Sequence, residues 1–335
     1  MTPNQLSATR NPYITFAKAF SILTIVIYHF TMDMPFSSSI LKVLSLGGGG
    51  VHLFMFASGF GLASSRYTDL KTYLNRRFSK VYLPYLIAIT LIFVLNIFLH
   101  IYKEDYKSYL AHVFLYKMFF DKYVGTFGYQ LWFISTIIQF YLVFPLLSIW
   151  VNKCPWKTVL LISIVVSLTY AITVALLGYG ESRVVGSFFL QYLWEFVLGM
   201  VVARQGFMDR ILTTKLYVLL LISVVSYGIM AALVLFLGPV GKNVNDIFSF
   251  LGYLSMSIFV YKIILQIKAI YKAILSVEPI SYSLFLTHYL VYHASMRFVF
   301  EHPRPVQLLP LFIAALLVAY AFEHFVSRPL LAIKL

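Results

Sequence analysis

The chain has 335 residues, of which 61% are apolar and 11% charged, against roughly 45–50% and 25% in soluble domains. So few charges cannot clothe a water-exposed surface, which excludes ordinary soluble folds. The net charge of +14 follows from the Lys and Arg that membrane proteins carry in cytoplasmic loops. With no basic tract alternating with exposed aromatics, it does not point to nucleic acid.

Apolar runs predict about ten membrane-crossing helices of roughly 20 residues each. They lie near 12–32, 45–64, 81–101, 129–150, 158–178, 185–203, 215–237, 247–267, 280–298 and 306–326. The fold class is therefore all-α, a polytopic bundle in one domain over 1–335. No internal repeat of the kind that builds many transporters is visible. Residues 1–11 form a short polar start. The run after them is too long for a signal-peptide core and holds Lys18, so it is expected to stay as a span. Lys and Arg gather in the loops on the side of residues 1–11, among them Arg10, Arg66, Lys71, Lys153, Arg204 and Lys334. The positive-inside rule then puts both termini in the cytoplasm. The other side carries Asp33, Glu104, Asp105, Asp121, Glu181, Asp246 and Glu301 beside fewer bases.

Ionisable groups inside spans are costly and mark functional positions. Lys18 and His29 stand eleven residues apart on the first helix. At 100° per residue they project about 20° from one line, separated by roughly 16 Å along the axis. That suits an elongated ligand with an anionic head and a reactive tip, the shape of a coenzyme A thioester. A neutral imidazole there can take a proton from an attacking hydroxyl. Asp33, four residues on and on the same face, is placed to orient the ring. A lysine snorkelling to the interface and a histidine bonded to a neighbouring helix fit the same spacing, which does not separate the two.

The segment GGGGVHLFMFASGFGLASSR (47–66) puts four glycines before a span, permitting a backbone nest or a close helix contact. In YLNRRFSKVYLPY (73–85), Arg76, Arg77 and Lys80 fall within about one turn and can converge on phosphate or on lipid headgroups. The connection 102–128 is the longest. Too short to span and amphipathic through SYLAHVFLYKMFF, it reads as an outer interfacial loop or helix. Trp132 and Tyr141 offer rings for a sugar face or for simple packing. Cys154 is the single cysteine, which rules out an intrachain disulfide or a thiolate cluster. Glu195 needs a partner inside its span, either a buried ion pair or an acceptor. His52 and His293 read as bonded core histidines, and His100, His112 and His302 as solvated ones. No metal site is implied, because His288 and His293 project about 140° apart.

Together these segments resemble the acyltransferase-3 family of integral membrane acyltransferases, in order and over nearly the whole chain. Lys18 and His29 match its Arg/Lys, ten residues, His pattern. GGGGVHLFMFASGF is similar to its Gly-x-x-Gly-Val…Phe-Phe…Ser-Gly-Phe segment. RRFSKVYLPY resembles its Arg-x-x-Arg…Pro-x-Tyr element, with Arg77 and Lys80 in the basic places. LWFISTIIQFYLVFPLL (131–147), WEFVLGM (194–200), SYSLFLTHYLV with His288, and Glu323 through Pro329 resemble further family elements.

The resemblance implies an O-acyltransferase that moves an acyl group, commonly acetyl, to a hydroxyl of a cell-surface polysaccharide or its lipid-linked precursor. The donor is acyl-coenzyme A, a substrate rather than a bound cofactor. His29 is the implied catalytic base, supported by Asp33, and Lys18, Arg76, Arg77 and Lys80 would hold the donor's phosphates. Ser58 is a candidate oxyanion donor. Trp132, Tyr141, Glu195 and His288 are candidates for substrate contact. The implied setting is a bacterial inner or plasma membrane, with a carbohydrate acceptor and polysaccharide synthesis or export proteins as partners. The competing class is a glycan or small-molecule transporter or flippase, in which Lys18 and His29 line a pathway without covalent chemistry. Three departures stand out: Ala17-Lys18-Ala19 replaces Leu-Arg-Gly, Lys80 replaces a second Arg, and Ile137-Ile138 stands where many members have Glu-Glu. Lysine keeps charge but lacks arginine's fork.

Overall fold

The computed structural model describes residues 11–65, 69–300 and 302–332; Arg10, Arg66, Glu301 and Lys334 lie outside these. No strand occurs among the described residues. The chain enters α1 (Pro12–Thr31) through Asn11, whose side chain accepts from the N–H groups of Tyr13 and Ile14, satisfying donors that a helix start leaves open. After the short α2 (Ser38–Ser45) come α3 (Gly50–Ser64) and α4 (Leu70–Arg77), the latter running through a π-helical turn into α5 (Leu83–Leu99). The following connection holds α6 (Tyr106–Val113) and one-turn α7 (Asp121–Val124). Next come α8 (Trp132–Lys153), α9 (Trp156–Leu176), one-turn α10 (Arg183–Gly186), α11 (Leu193–Gln205) and short α12 (Phe207–Leu212). The last are α13 (Leu216–Val244), broken by a kink at Gly238, α14 (Asp246–Ile264), α15 (Lys268–Leu275), α16 (Ser281–Phe298), α17 (Leu308–Phe322) and the short α18 (Arg328–Ala332).

Every apolar run read from the sequence holds a helix. Among the described residues nine helical segments are long and apolar enough to cross a membrane. The remaining run is α16, 18 residues long and more polar, with His288, His293 and Arg297. It packs against α1, α5 and α17. This is a multi-pass membrane protein built as an all-α bundle.

Two sets of glycines set the helix spacing. A Cβ on Gly59 would lie 2.0 Å from the Phe196 carbonyl oxygen, and one on Gly199 would lie 2.1 Å from that of Phe56. Backbones of α3 and α11 therefore touch, the small-residue contact that lipid-embedded helices use in place of a hydrophobic driving force. The 47–50 run does the same against α1: a Cβ on Gly47 would meet the Thr24 carbonyl at 2.6 Å, and one on Gly50 that of Ser21 at 2.9 Å. These glycines sit in helical turns whose N–H groups bond within the turn, so they form a packing surface and not an anion nest.

The 102–128 connection does not stand apart from the bundle. It returns along α5 from Asn96 to Tyr82. The Asn96 side chain accepts from the Tyr102 N–H at 2.6 Å, Thr90 meets the Tyr109 hydroxyl at 3.1 Å, and Tyr85 bonds His112 at 2.7 Å. The Tyr82 hydroxyl donates to the Val113 carbonyl. One face of α6 buries Ser108, Ala111 and His112, while Tyr106, Leu110 and Phe114 face outward. His112, read as solvated, is fully buried between Tyr85 and Thr126, and burial lowers its basicity well below the ordinary range. Lys117 is also fully buried. Its ammonium donates to the Leu131 carbonyl at 2.8 Å and lies 5.3 Å over the Tyr85 ring. Burial with no carboxylate beside it drives its pKa down, because desolvation penalises the charged form.

Candidate active site

His29 lies in the last turn of α1, and its Nδ1 is 2.9 Å from Nε2 of His288 on α16. The two rings are nearly parallel, 3° apart with centroids 5.2 Å apart. His288 Nδ1 is in turn 2.8 Å from the Leu284 carbonyl oxygen. A carbonyl only accepts, so this nitrogen carries a proton and Nε2 of neutral His288 carries a lone pair. His29 Nδ1–H then donates to that lone pair. The proton map leaves Nε2 of neutral His29 as a lone pair, the atom a general base needs. His288 is fully buried and His29 partly so. Tyr28 and Tyr289 flank His29 at 5.2 and 4.8 Å between ring centres. A cavity of about 270 Å³ opens beside Tyr28, between the end of α1 and α2, with Lys42 in its wall.

Asp33 does not orient His29. The helix ends at Thr31, so Asp33 leaves the helical register and its carboxylate accepts from the Tyr292 hydroxyl at 3.0 Å. The group that bonds the His29 ring is His288. Ser58 is also remote from His29. α1 and α3 run antiparallel with Ser21 against Gly50, so Ser58 falls opposite the first turn of α1, roughly 20 Å from His29 at 1.5 Å per residue.

Lys18 sits half-buried on the His29 side of α1, toward the same end of the bundle as Arg77. Arg77 turns inward, its guanidinium 5.6 Å over Tyr73 and 5.7 Å over Tyr141, and its Nε is buried without a partner among the described residues. Arg76 and Lys80 are exposed. Tyr141 therefore joins the Arg77 end, nine residues or roughly 13 Å along α8 from Trp132.

Trp132 belongs to a second polar group, which the sequence did not assemble. Gly59 and Gly199 bring α3 and α11 together so that His52 Nδ1 lies 2.8 Å from Glu195 Oε1. His52 Nε2 lies 3.8 Å from Asp246 Oδ1, and Gln191 donates to the other Asp246 oxygen at 2.6 Å. Glu195 is thus a buried hydrogen-bond partner of His52, and its Oε2 has no partner among the described residues. Tyr192 stacks on Trp132 at 5.8 Å. Arg183 of α10 covers the opposite part of the group, its guanidinium 3.7 Å from the centre of a Trp132 ring. Nothing local marked Arg183, which stands 51 positions from Trp132 in the chain.

At the far end of α16, Ser283 donates to Glu323 at 2.8 Å, and Arg328 lies 3.8 Å from the same carboxylate. The family-like Glu…Pro ending thus clamps α16, which carries His288. No group of three or more His, Cys, Asp or Glu side chains suited to a metal occurs among the described residues.

Comparison with known proteins matches residues 11–324 to an acyltransferase domain. No curated protein and no solved structure matches the chain. With the domain covering nearly all of the sequence, from the cap of the first helix to the clamp at Glu323, the chain belongs to the acyltransferase-3 family and is an integral membrane acyltransferase.

Proposed function

We propose that the enzyme transfers an acyl group, commonly acetyl, from a coenzyme A thioester to a hydroxyl of a cell-surface polysaccharide or its lipid-linked precursor. The observation that carries this reading is the free Nε2 of His29, held in one tautomer by His288. In the reaction, His29 Nε2 takes the acceptor's hydroxyl proton as its oxygen bonds the thioester carbonyl carbon. The carbon–sulfur bond then breaks, and coenzyme A leaves as a thiol with the proton that His29 returns. While His29 is an imidazolium, its Nδ1–H bond to His288 becomes charge-assisted and strengthens. His29 begins as a neutral base in a site where no carboxylate bonds its ring, so the charge it gains is shared only with neutral His288.

Lys18 and Arg77, with Arg76 and Lys80 at the surface, hold the donor's phosphates at the opposite end, which places that end in the cytoplasm. Both termini then lie there as well. Trp132, already covered by Tyr192 and Arg183, serves an acceptor sugar by holding Arg183 in place. The setting is a bacterial inner or plasma membrane, beside polysaccharide synthesis or export proteins.

The test incubates membranes carrying wild-type or His29→Ala protein with acyl-labelled coenzyme A and glycan acceptor. Label entering the glycan only with wild type supports the reading. Equal labelling removes His29 from the mechanism, and no labelling with acceptor present favours transport instead.

A further inference from the structure

Arg183 has an incomplete set of contacts. Its guanidinium is held by rings, 3.7 Å from Trp132 and 5.7 Å from Tyr129, and its side chain reaches Tyr192. Yet Nε and Nη2 are both buried without a partner among the described residues. These two nitrogens form one edge of the guanidinium plane, the edge that grips a carboxylate or phosphate through two parallel N–H bonds. A buried donor left unpaired is costly, more so when charged, and here two are unpaired side by side.

The protein's own carboxylates do not fill this edge. Glu195 is bonded to His52, and Asp246 is bonded to Gln191 and faces His52. His52 adds a second base to the same group. Among the described residues no ion pair engages Arg183. The turn that presents Tyr129 also carries Gln130, 2% exposed, with neither amide atom bonded.

The turn that carries Tyr129 packs against α16, the helix that bears His288. Tyr129 is close enough to Tyr28 and Tyr289 to act on both electrostatically, and these two rings flank His29. Tyr129 is 48% exposed and Arg183 only half-buried, so the fork lies near the surface of the bundle, behind side chains that can turn.

We propose that the Arg183 edge, lying on Trp132, is an acceptor subsite for an oxyanion, so that the enzyme selects sugars bearing a carboxylate or a phosphate. Arg183 takes the charged substituent, and the exposed part of the Tyr129 ring beside it meets the apolar face of the sugar. The inference rests on the acyl-transfer reading for the identity of its ligand as acceptor, but its test does not require turnover.

Equilibrium binding of three probes to the purified full-length protein in detergent provides that test: phenyl β-glucoside, phenyl β-glucuronide and phenyl β-glucoside 6-phosphate. Wild type is expected to bind at least one anionic probe about 10-fold or more tighter than the neutral one. Which of the two wins tells carboxylate from phosphate. Arg183→Met abolishes the preference. Arg183→Lys, which keeps the charge and loses the fork, weakens it several-fold and serves as the deciding variant if Arg183→Met does not purify as a folded protein. His29→Ala keeps the preference. The proposal is overturned if wild type binds all three probes alike or none of them, or if the folded Arg183 variants keep the full preference. A retained preference in a protein that never transfers label would instead overturn the acyl-transfer reading alone.

Discussion

Replacing His288 by alanine removes the acceptor of the His29 Nδ1–H bond, 2.9 Å long in the structure. Two effects follow. His29 is freed to take either tautomer, and the imidazolium that forms during transfer loses a hydrogen bond. A hydrogen bond to a charged group contributes about 1.5–3 kcal/mol, which corresponds to roughly 10- to 150-fold in kcat. The donor's KM should stay nearly constant, because Lys18 lies roughly 16 Å along α1 from His29. Glutamine at 288 puts an amide oxygen close to the imidazole Nε2 position and should recover part of the loss, which a purely structural role would not predict. The assay is steady-state transfer from labelled acyl-coenzyme A by purified protein, with kcat and KM separated. Activity of His288→Ala within twofold of wild type would refute the tautomer argument.

Three further outcomes are expected. Gly199→Ala should lower the melting temperature in detergent, since its Cβ would sit 2.1 Å from the Phe56 oxygen and overpacking costs about 1–3 kcal/mol; an unchanged melt would contradict the close α3–α11 contact. Lys117→Met should stabilise the protein relative to wild type most at and below neutral pH, and the gap should narrow as pH rises toward 10. The sign follows from burial lowering the folded-state pKa, so the unfolded chain binds more protons and wild-type stability climbs with pH; melting curves across that range decide it. Asp33→Asn should leave kcat within about twofold, because its carboxylate serves Tyr292, and a loss of 100-fold would return Asp33 to the base.

The spans were legible because crossing lipid demands long apolar runs, and helix existence follows from that demand alone. His29 was legible because a titratable group inside such a run stands out, and His288 only because its neighbourhood resembled a family segment. What escaped were pairings set by packing between distant segments. His52 reached Glu195 through glycines one and two turns deeper in their helices. Asp33 looked right on a helical wheel, but the helix ended two residues before it. Trp132 and Tyr141 share a helix, yet its length delivers them to different groups. Lys117 and His112 sit in a stretch whose aromatic and basic content suits an interface, and no local pattern says that such a stretch folds back along α5.

That returning segment has a consequence for how the protein is made. A helix of 8 residues followed by a lysine is too short and too polar to pass from a translocation channel into lipid by itself. It reaches its place from the aqueous side, after α5 has been installed. Its partners Tyr82, Tyr85, Thr90 and Asn96 all precede it in the chain, so it can dock as soon as it is released. Later partners complete it: the Leu131 carbonyl that receives Lys117 arrives 14 residues on with the start of α8, and the Ser182 hydroxyl and Val184 N–H that donate to Asp121 come with α10. Assembly here is ordered by synthesis: α5 provides a template, the hairpin settles on it, and α8 closes over the lysine.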